Sequence, residues 1–206
     1  MQLVKLLHKT IQKELPFIHK SRLSNLMSAY STAIGTNQLT LTGLGREIQN
    51  KNKTNRNIQK VDRLLANPHL QSEKNQFYQF MIGYLIKENS TPWIHIDWSC
   101  LNSITNLYVL RSSLSMPGRS IVIYEECHTK KGENNPPAHK AFLNRLKELL
   151  PAAVRPVLVT DAGFRSPWFA YILKLGWDFV GRLRNRNLIK IDDEPHWRFS
   201  ASLCAV

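Results

Sequence analysis

The sequence predicts an α/β protein in two parts: a helical N-terminal domain over residues 1–90, and a mixed five-stranded sheet with helices over 91–206. Three observations predict it. Through the first part apolar residues recur at helical spacing with hardly any strand signal. Beyond the polar stretch Lys87-Glu88-Asn89-Ser90-Thr91-Pro92 the texture turns to β-branched and aromatic runs, which sets the domain boundary. Those runs then alternate with helical segments, as they do in sheets with parallel members.

Leu3, Leu6, Leu7, Ile11 and Leu15 define the first helix, which Pro16 ends. Leu23, Leu26, Met27 and Tyr30 define a second, with Ser21 as its expected cap. Thr40 caps a short third helix carrying Leu41, Leu44 and Ile48, and a polar, basic connector follows from Gln49 to Asn55. Ile58, Val61, Leu64 and Leu65 give the next helical face before Asn67-Pro68. Residues 70–90 read as a helix whose stripe of Phe77, Phe80, Met81, Tyr84 and Leu85 belongs to the core.

Short helix, polar turn, short helix is the layout of helix-turn-helix DNA readers, although this connector exceeds their usual three or four residues. The first 90 residues hold 13 basic against 5 acidic residues, and the whole chain carries a net charge of +13, so a polyanionic partner is expected. Arg46, Lys51, Lys53, Arg56, Lys60 and Arg63 cluster on the connector and its flanking helices. A single cation among them is best read as a solvated face. Together they suit DNA phosphates, because affinity follows the number of charges neutralised.

The second part begins with Trp93-Ile94-His95-Ile96-Asp97-Trp98-Ser99-Cys100, an apolar and β-branched run broken by one carboxylate. A strand covered on both faces reads this way, so Asp97 is expected to be buried and bound, and a metal is the natural partner. Residues 107–114 and 120–125 give two further strands around the turn at Met116-Pro117-Gly118, completing an antiparallel meander. After a polar loop from Lys130 to Pro137, residues 138–150 are helical. Val157 to Thr160 is a fourth strand, ending in Asp161-Ala162-Gly163-Phe164; a helix over 167–175 and a strand over 177–183 follow. Three strands, helix, strand, helix, strand is the order of the ribonuclease H-like fold. There the first and fourth strands are neighbours, which would bring Asp97 and Asp161 to one site.

Phosphoryl transfer needs little more than acids on rigid elements. Mg²⁺ is held by a few carboxylates plus water and phosphate oxygens. Two such ions about 4 Å apart can activate the attacking oxygen and stabilise the leaving one. The plain alternatives are that Asp161 merely turns the chain before Gly163 and that Asp97 is a buried acid bonded to backbone. His95, Cys100, Cys127 and His128 imitate zinc ligands, but the three cysteines, Cys204 included, lack the close pairs that structural zinc sites use. No apolar run reaches the roughly 18 residues of a membrane span, and no leader or lipidation signal is seen, so a cytoplasmic protein without a membrane partner is expected.

The blocks Ile94-His95-Ile96-Asp97-Trp98 and Val159-Thr160-Asp161-Ala162-Gly163-Phe164, with Val61-Asp62-Arg63-Leu64-Leu65 ahead of them, resemble bacterial DDE transposases of the insertion sequence four family. The resemblance runs over essentially the whole chain. It implies a ribonuclease H-like catalytic core, cut-and-paste DNA transposition and an N-terminal domain that recognises terminal inverted repeats. Asp97 and Asp161 then correspond to the first two members of the DDE triad, holding two Mg²⁺ ions, with Mn²⁺ as a substitute. Double-stranded DNA, as element ends and as target, is the expected partner, with association to the nucleoid when bound.

Two departures stand out. Where the family commonly has Asp-Arg-Gly-Phe, this chain has Asp161-Ala162-Gly163-Phe164. The family's third carboxylate lies in a Tyr-x2-Arg-x3-Glu-x6-Lys motif, yet no Tyr follows Tyr171. Asp192, Asp193 and Glu194 read as a solvated turn instead. The expectation is a transposase truncated before its third carboxylate, with apolar surface left open and modest stability. Two alternatives accompany it. One is an inactive DNA-binding fragment that inhibits full-length transposase, by occupying ends or by forming oligomers with it. The other is a compact nuclease completed by Glu125 or Glu126. Arg182, Arg184 and Arg186, at alternate positions, fit one face of an extended segment, either near DNA or simply in solvent.

Overall fold

The computed structural model describes residues 2–133, 135–184, 187–191 and 195–200. The chain divides into two compact units, Met1–Phe80 and Met81–Val206. The division falls at Phe80 rather than at residue 90, inside a helix that runs continuously from Pro68 to Leu85.

The first unit holds α1 (Gln2–Glu14), α2 (Lys20–Thr36), α3 (Leu41–Glu47), α4 (Thr54–Leu65) and most of α5 (Pro68–Leu85). Ile11 and Leu15, from the predicted stripe of α1, meet Ile18, Leu23 and Met27 in a buried cluster, against which Phe77 and Phe80 of α5 pack. The cap of α2 is His19 and not Ser21: the His19 ring accepts the Ser21 backbone N–H. Thr40 caps α3 as expected, its hydroxyl accepting from Gly43 N–H at 3.1 Å. Tyr84, assigned to the core stripe of α5, is exposed, whereas Ile82 is fully buried.

Helices α3 and α4 cross at very short range. A Cβ at Gly45 would lie 2.5 Å from the Ile58 Cα, so only glycine admits this approach. The connector is pinned by Asn57, which is buried, donates its side-chain N–H to Ile48 O at 3.1 Å and accepts from Asn50 at 3.0 Å. Arg22 of α2 and Glu73 of α5 form a largely buried, two-contact ion pair, Arg22 Nε donating to Glu73 Oε2 at 2.9 Å.

The second unit is a mixed five-stranded sheet of order β3-β2-β1-β4-β5. Its strands are β1 (Trp93–Asn102), β2 (Leu107–Met116), β3 (Arg119–Thr129), β4 (Val157–Thr160) and β5 (Asp178–Gly181). The meander β1-β2-β3 is antiparallel, and β4 pairs parallel to both β1 and β5. Helices α6 (Pro136–Leu149) and α7 (Ser166–Lys174) connect the later strands, and a minor hairpin joins β6 (Leu188–Ile189) to β7 (Arg198–Phe199). The core beneath α6 and α7 is apolar: Ile94, Ile96, Leu110, Ile123 and Leu158 from the strands, and Phe142, Leu143, Leu146 and Ile172 from the helices, are all essentially inaccessible. Each such side chain contributes about 1.5–3 kcal/mol by leaving water.

The structure corrects the reading of β1 as a strand covered on both faces. Ile94 and Ile96 are buried, but Trp93, His95 and Asp97 are exposed. The strand alternates with period two, as a one-sided sheet requires. Trp93 concealed the alternation by putting an aromatic residue, 52% exposed, on the open face. Burial therefore supplies no argument that Asp97 must be bound.

Candidate active site and a basic groove

The sheet register sets the site. Ile96 is the last residue of β1 paired with β4, and its partner is Thr160. Asp97 and Asp161 are the next residues on these parallel neighbours. Asp161 stands just past the carboxyl end of β4, where open α/β sheets commonly present ligand groups, and Asp97 stands midway along β1, which continues beyond the end of β4 to Asn102. Both line one cavity of about 970 Å³, together with Glu133, Trp98, Phe164, Phe169, Arg165, Arg182 and Arg184.

Asp161 does turn the chain: its Oδ1 accepts the Gly163 N–H at 2.9 Å. A Cβ at Gly163 would come within 3.0 Å of that same oxygen, so glycine keeps the loop close to the carboxylate. The turn uses one of the two oxygens. Among the described residues Asp97 has only a long contact, 3.5 Å, from the Ser99 hydroxyl to its Oδ2. Two accessible carboxylates of hard oxygen character match the reduced donor set that Mg²⁺ takes from proteins, one or two carboxylates with water and substrate phosphate filling the rest. Among the described residues no group of three or more His, Cys, Asp or Glu side chains is disposed to hold a metal ion.

Behind the cavity lies an aromatic and imidazole layer. Trp98 Nε1–H donates to His139 Nε2 at 3.2 Å, and the His139 ring meets those of Phe164 at 5.4 Å and Trp168 at 5.1 Å. Trp98 also packs edge-on against His128, with centroids 5.3 Å apart. Burial, with the charge of His128 nearby, pushes His139 down to about 4, so it is neutral at pH 7 and accepts the indole proton.

The other acids are engaged elsewhere. Glu125 accepts from Arg111 Nε at 2.9 Å. Glu126 accepts from the Tyr124 hydroxyl and meets His128 Nε2 at 3.1 Å. Neither lines the cavity, which argues against the compact nuclease completed by Glu125 or Glu126. Glu133 does line it, along with Arg165, and both escaped the sequence reading. Glu133 sat in a polar loop without periodicity; Arg165, directly after Asp161-Ala162-Gly163-Phe164, could have been flagged by that adjacency. Arg182 and Arg184 join the cavity, while Arg186, Asp192, Asp193, Glu194 and Cys204 lie outside the described residues.

The six cations expected to contact DNA separate into two groups. Arg56, Lys60 and Arg63, spaced along one face of α4, line a groove of about 570 Å³ with His19, Arg22, Asn25, Asn52, Gln59 and Asn67. Arg46, Lys51 and Lys53 are exposed but line no part of it. Among the described residues no acidic side chain lines this groove. Among them, too, no helix is long and apolar enough to cross a membrane. No family model, curated protein or solved structure matches the chain.

Proposed function

We propose that the chain is a DDE-type DNA transposase component whose residues 81–206 form a ribonuclease H-like phosphoryl-transfer centre. The observation that carries this reading is that Asp97 and Asp161 each directly follow the last paired residues, Ile96 and Thr160, of the parallel neighbours β1 and β4, and line one cavity that also holds three arginines. The strand order, with β1 between β2 and β4, supports it. Asp97 and Asp161 would hold Mg²⁺ or Mn²⁺, which when bound supplies Lewis-acid stabilisation of the phosphoryl oxygens. Arg165, Arg182 and Arg184 bind the flanking phosphates and orient the strand for in-line attack, first by water and then by a freed 3′-hydroxyl. The neutral His139 holds Trp98, which follows Asp97 directly, and so fixes the cavity wall.

The test incubates the purified chain and Mg²⁺ or Mn²⁺ with end-labelled duplex DNA, scoring retardation and nicking together. Nicking that Asp97→Ala and Asp161→Ala each abolish supports the reading. Nicking that survives both sinks it.

A second reading is favoured by the acid-free groove along α4: the chain binds DNA without cutting it and restrains an active transposase. Retardation without nicking would select this one. In either reading the triple variant Arg56→Gln, Lys60→Gln, Arg63→Gln should flatten the plot of log affinity against log salt by about 2–3, roughly 0.9 for each phosphate no longer neutralised. An unchanged slope would show that the groove meets no phosphate.

A further inference from the structure

Asp97, Arg111 and Glu125 lie in one row across β1, β2 and β3: Asp97 pairs with Arg111, and Arg111 with Glu125. Side chains directly opposite in antiparallel strands have Cβ atoms about 4.5–5.5 Å apart, so the Arg111 guanidinium can reach either acid. It is found on Glu125, with Nε at 2.9 Å from Oε2 and both side chains 38% exposed. Among the described residues Asp97 is left with only the long Ser99 contact.

We infer that Glu125 is a positioning residue that holds Arg111 away from Asp97 and thereby keeps the Asp97 carboxylate open to a divalent cation. An arginine seated on Asp97 would occupy the oxygens a cation needs and add a like charge beside it. Glu125 does not enter the cavity, so its action runs through Arg111 alone. The inference rests on Asp97 as a metal ligand, and the experiment separates the two claims.

Mn²⁺ affinity is titrated by the loss of the free-ion resonance for the wild type, Asp97→Ala, Glu125→Gln, Arg111→Gln and the double variant, with thermal melts confirming that each folds. Glu125→Gln should weaken Mn²⁺ binding by about fivefold, the scale of an exposed ion pair. The same substitution made in the Arg111→Gln background should change it little, because nothing is then left to restrain. An equal loss in both backgrounds would mean that Glu125 acts as a bare charge or as a ligand itself, and would overturn the inference. Binding lost in Asp97→Ala but unchanged in Glu125→Gln would also overturn it while sparing the metal site. Binding unchanged in Asp97→Ala would overturn both.

Discussion

Two adjacent rows cross the same three strands and meet opposite fates. Asp97, Arg111 and Glu125 face outward; Trp98, Leu110 and Glu126, one step along each strand, face α6. In the outer row the charges are hydrated and one acid has little intramolecular company. In the inner row the acid is tied to a tyrosine and a histidine, and the apolar member is completely buried. The period-two geometry of a strand thus separates residues available for chemistry from residues committed to structure, although they are neighbours in sequence.

The largest effect expected to sharpen this contrast is at Asp97. Asp97→Ala should lower nicking by roughly 10³-fold or more, as loss of a metal-holding or otherwise unit-acting catalytic group does, while the melting temperature stays close to the wild type. A cooperative loss of folding in this variant would place Asp97 with the structural row and break the contrast.

Next comes stability at the middle of the two rows. Leu110→Ala removes a fully buried side chain and should destabilise by about 2–5 kcal/mol. Arg111→Ala, the very next residue, gives up an exposed ion pair and should stay within about 1 kcal/mol. Denaturant midpoints for the pair measure the difference directly, and similar losses in both would show that the outer face is covered.

The same contrast explains how much was legible in the sequence. Elements with strong periodicity stood out: Leu23 and Met27 on α2, Phe142, Leu146 and Leu149 on α6, and the Asn67-Pro68 stop all mark real features. The juxtaposition of Asp97 with Asp161 was readable because one strand carries a lone acid within its apolar run and a parallel neighbour ends its run in another. The environment of Asp97 was not, because Trp93 and His95 are exposed yet resemble buried strand residues in sequence. Nor was the groove: Arg22 joins Arg56 only through packing of α2 on α4, which no local pattern encodes. Glu133 reaches the cavity by the path of a loop, and loops carry no period to read.

The smallest expected effect concerns His139, which packs on the inner row through Trp98; the same Trp98 ring meets His128, which pairs with Glu126 on β3. Its folded-state value near 4 lies below the ordinary 6.5, so between these limits the unfolded chain binds more protons than the native one. The neutral ring's contribution is complete above pH 6.5 and is lost as the pH falls towards 4. His139→Gln should therefore be less stable than the wild type at pH 7, since its side chain cannot pack as a ring on Phe164 and Trp168, and the gap should narrow at pH 4.5. Acid titration of remote carboxylates occurs in both proteins and cancels in the difference, so the narrowing reports His139 together with its electrostatic coupling to His128. A gap in melting temperature that stays constant from pH 7 to 4.5 would mean that His139 is not held neutral by its surroundings, and the inner row would lose its claim to be shielded from water.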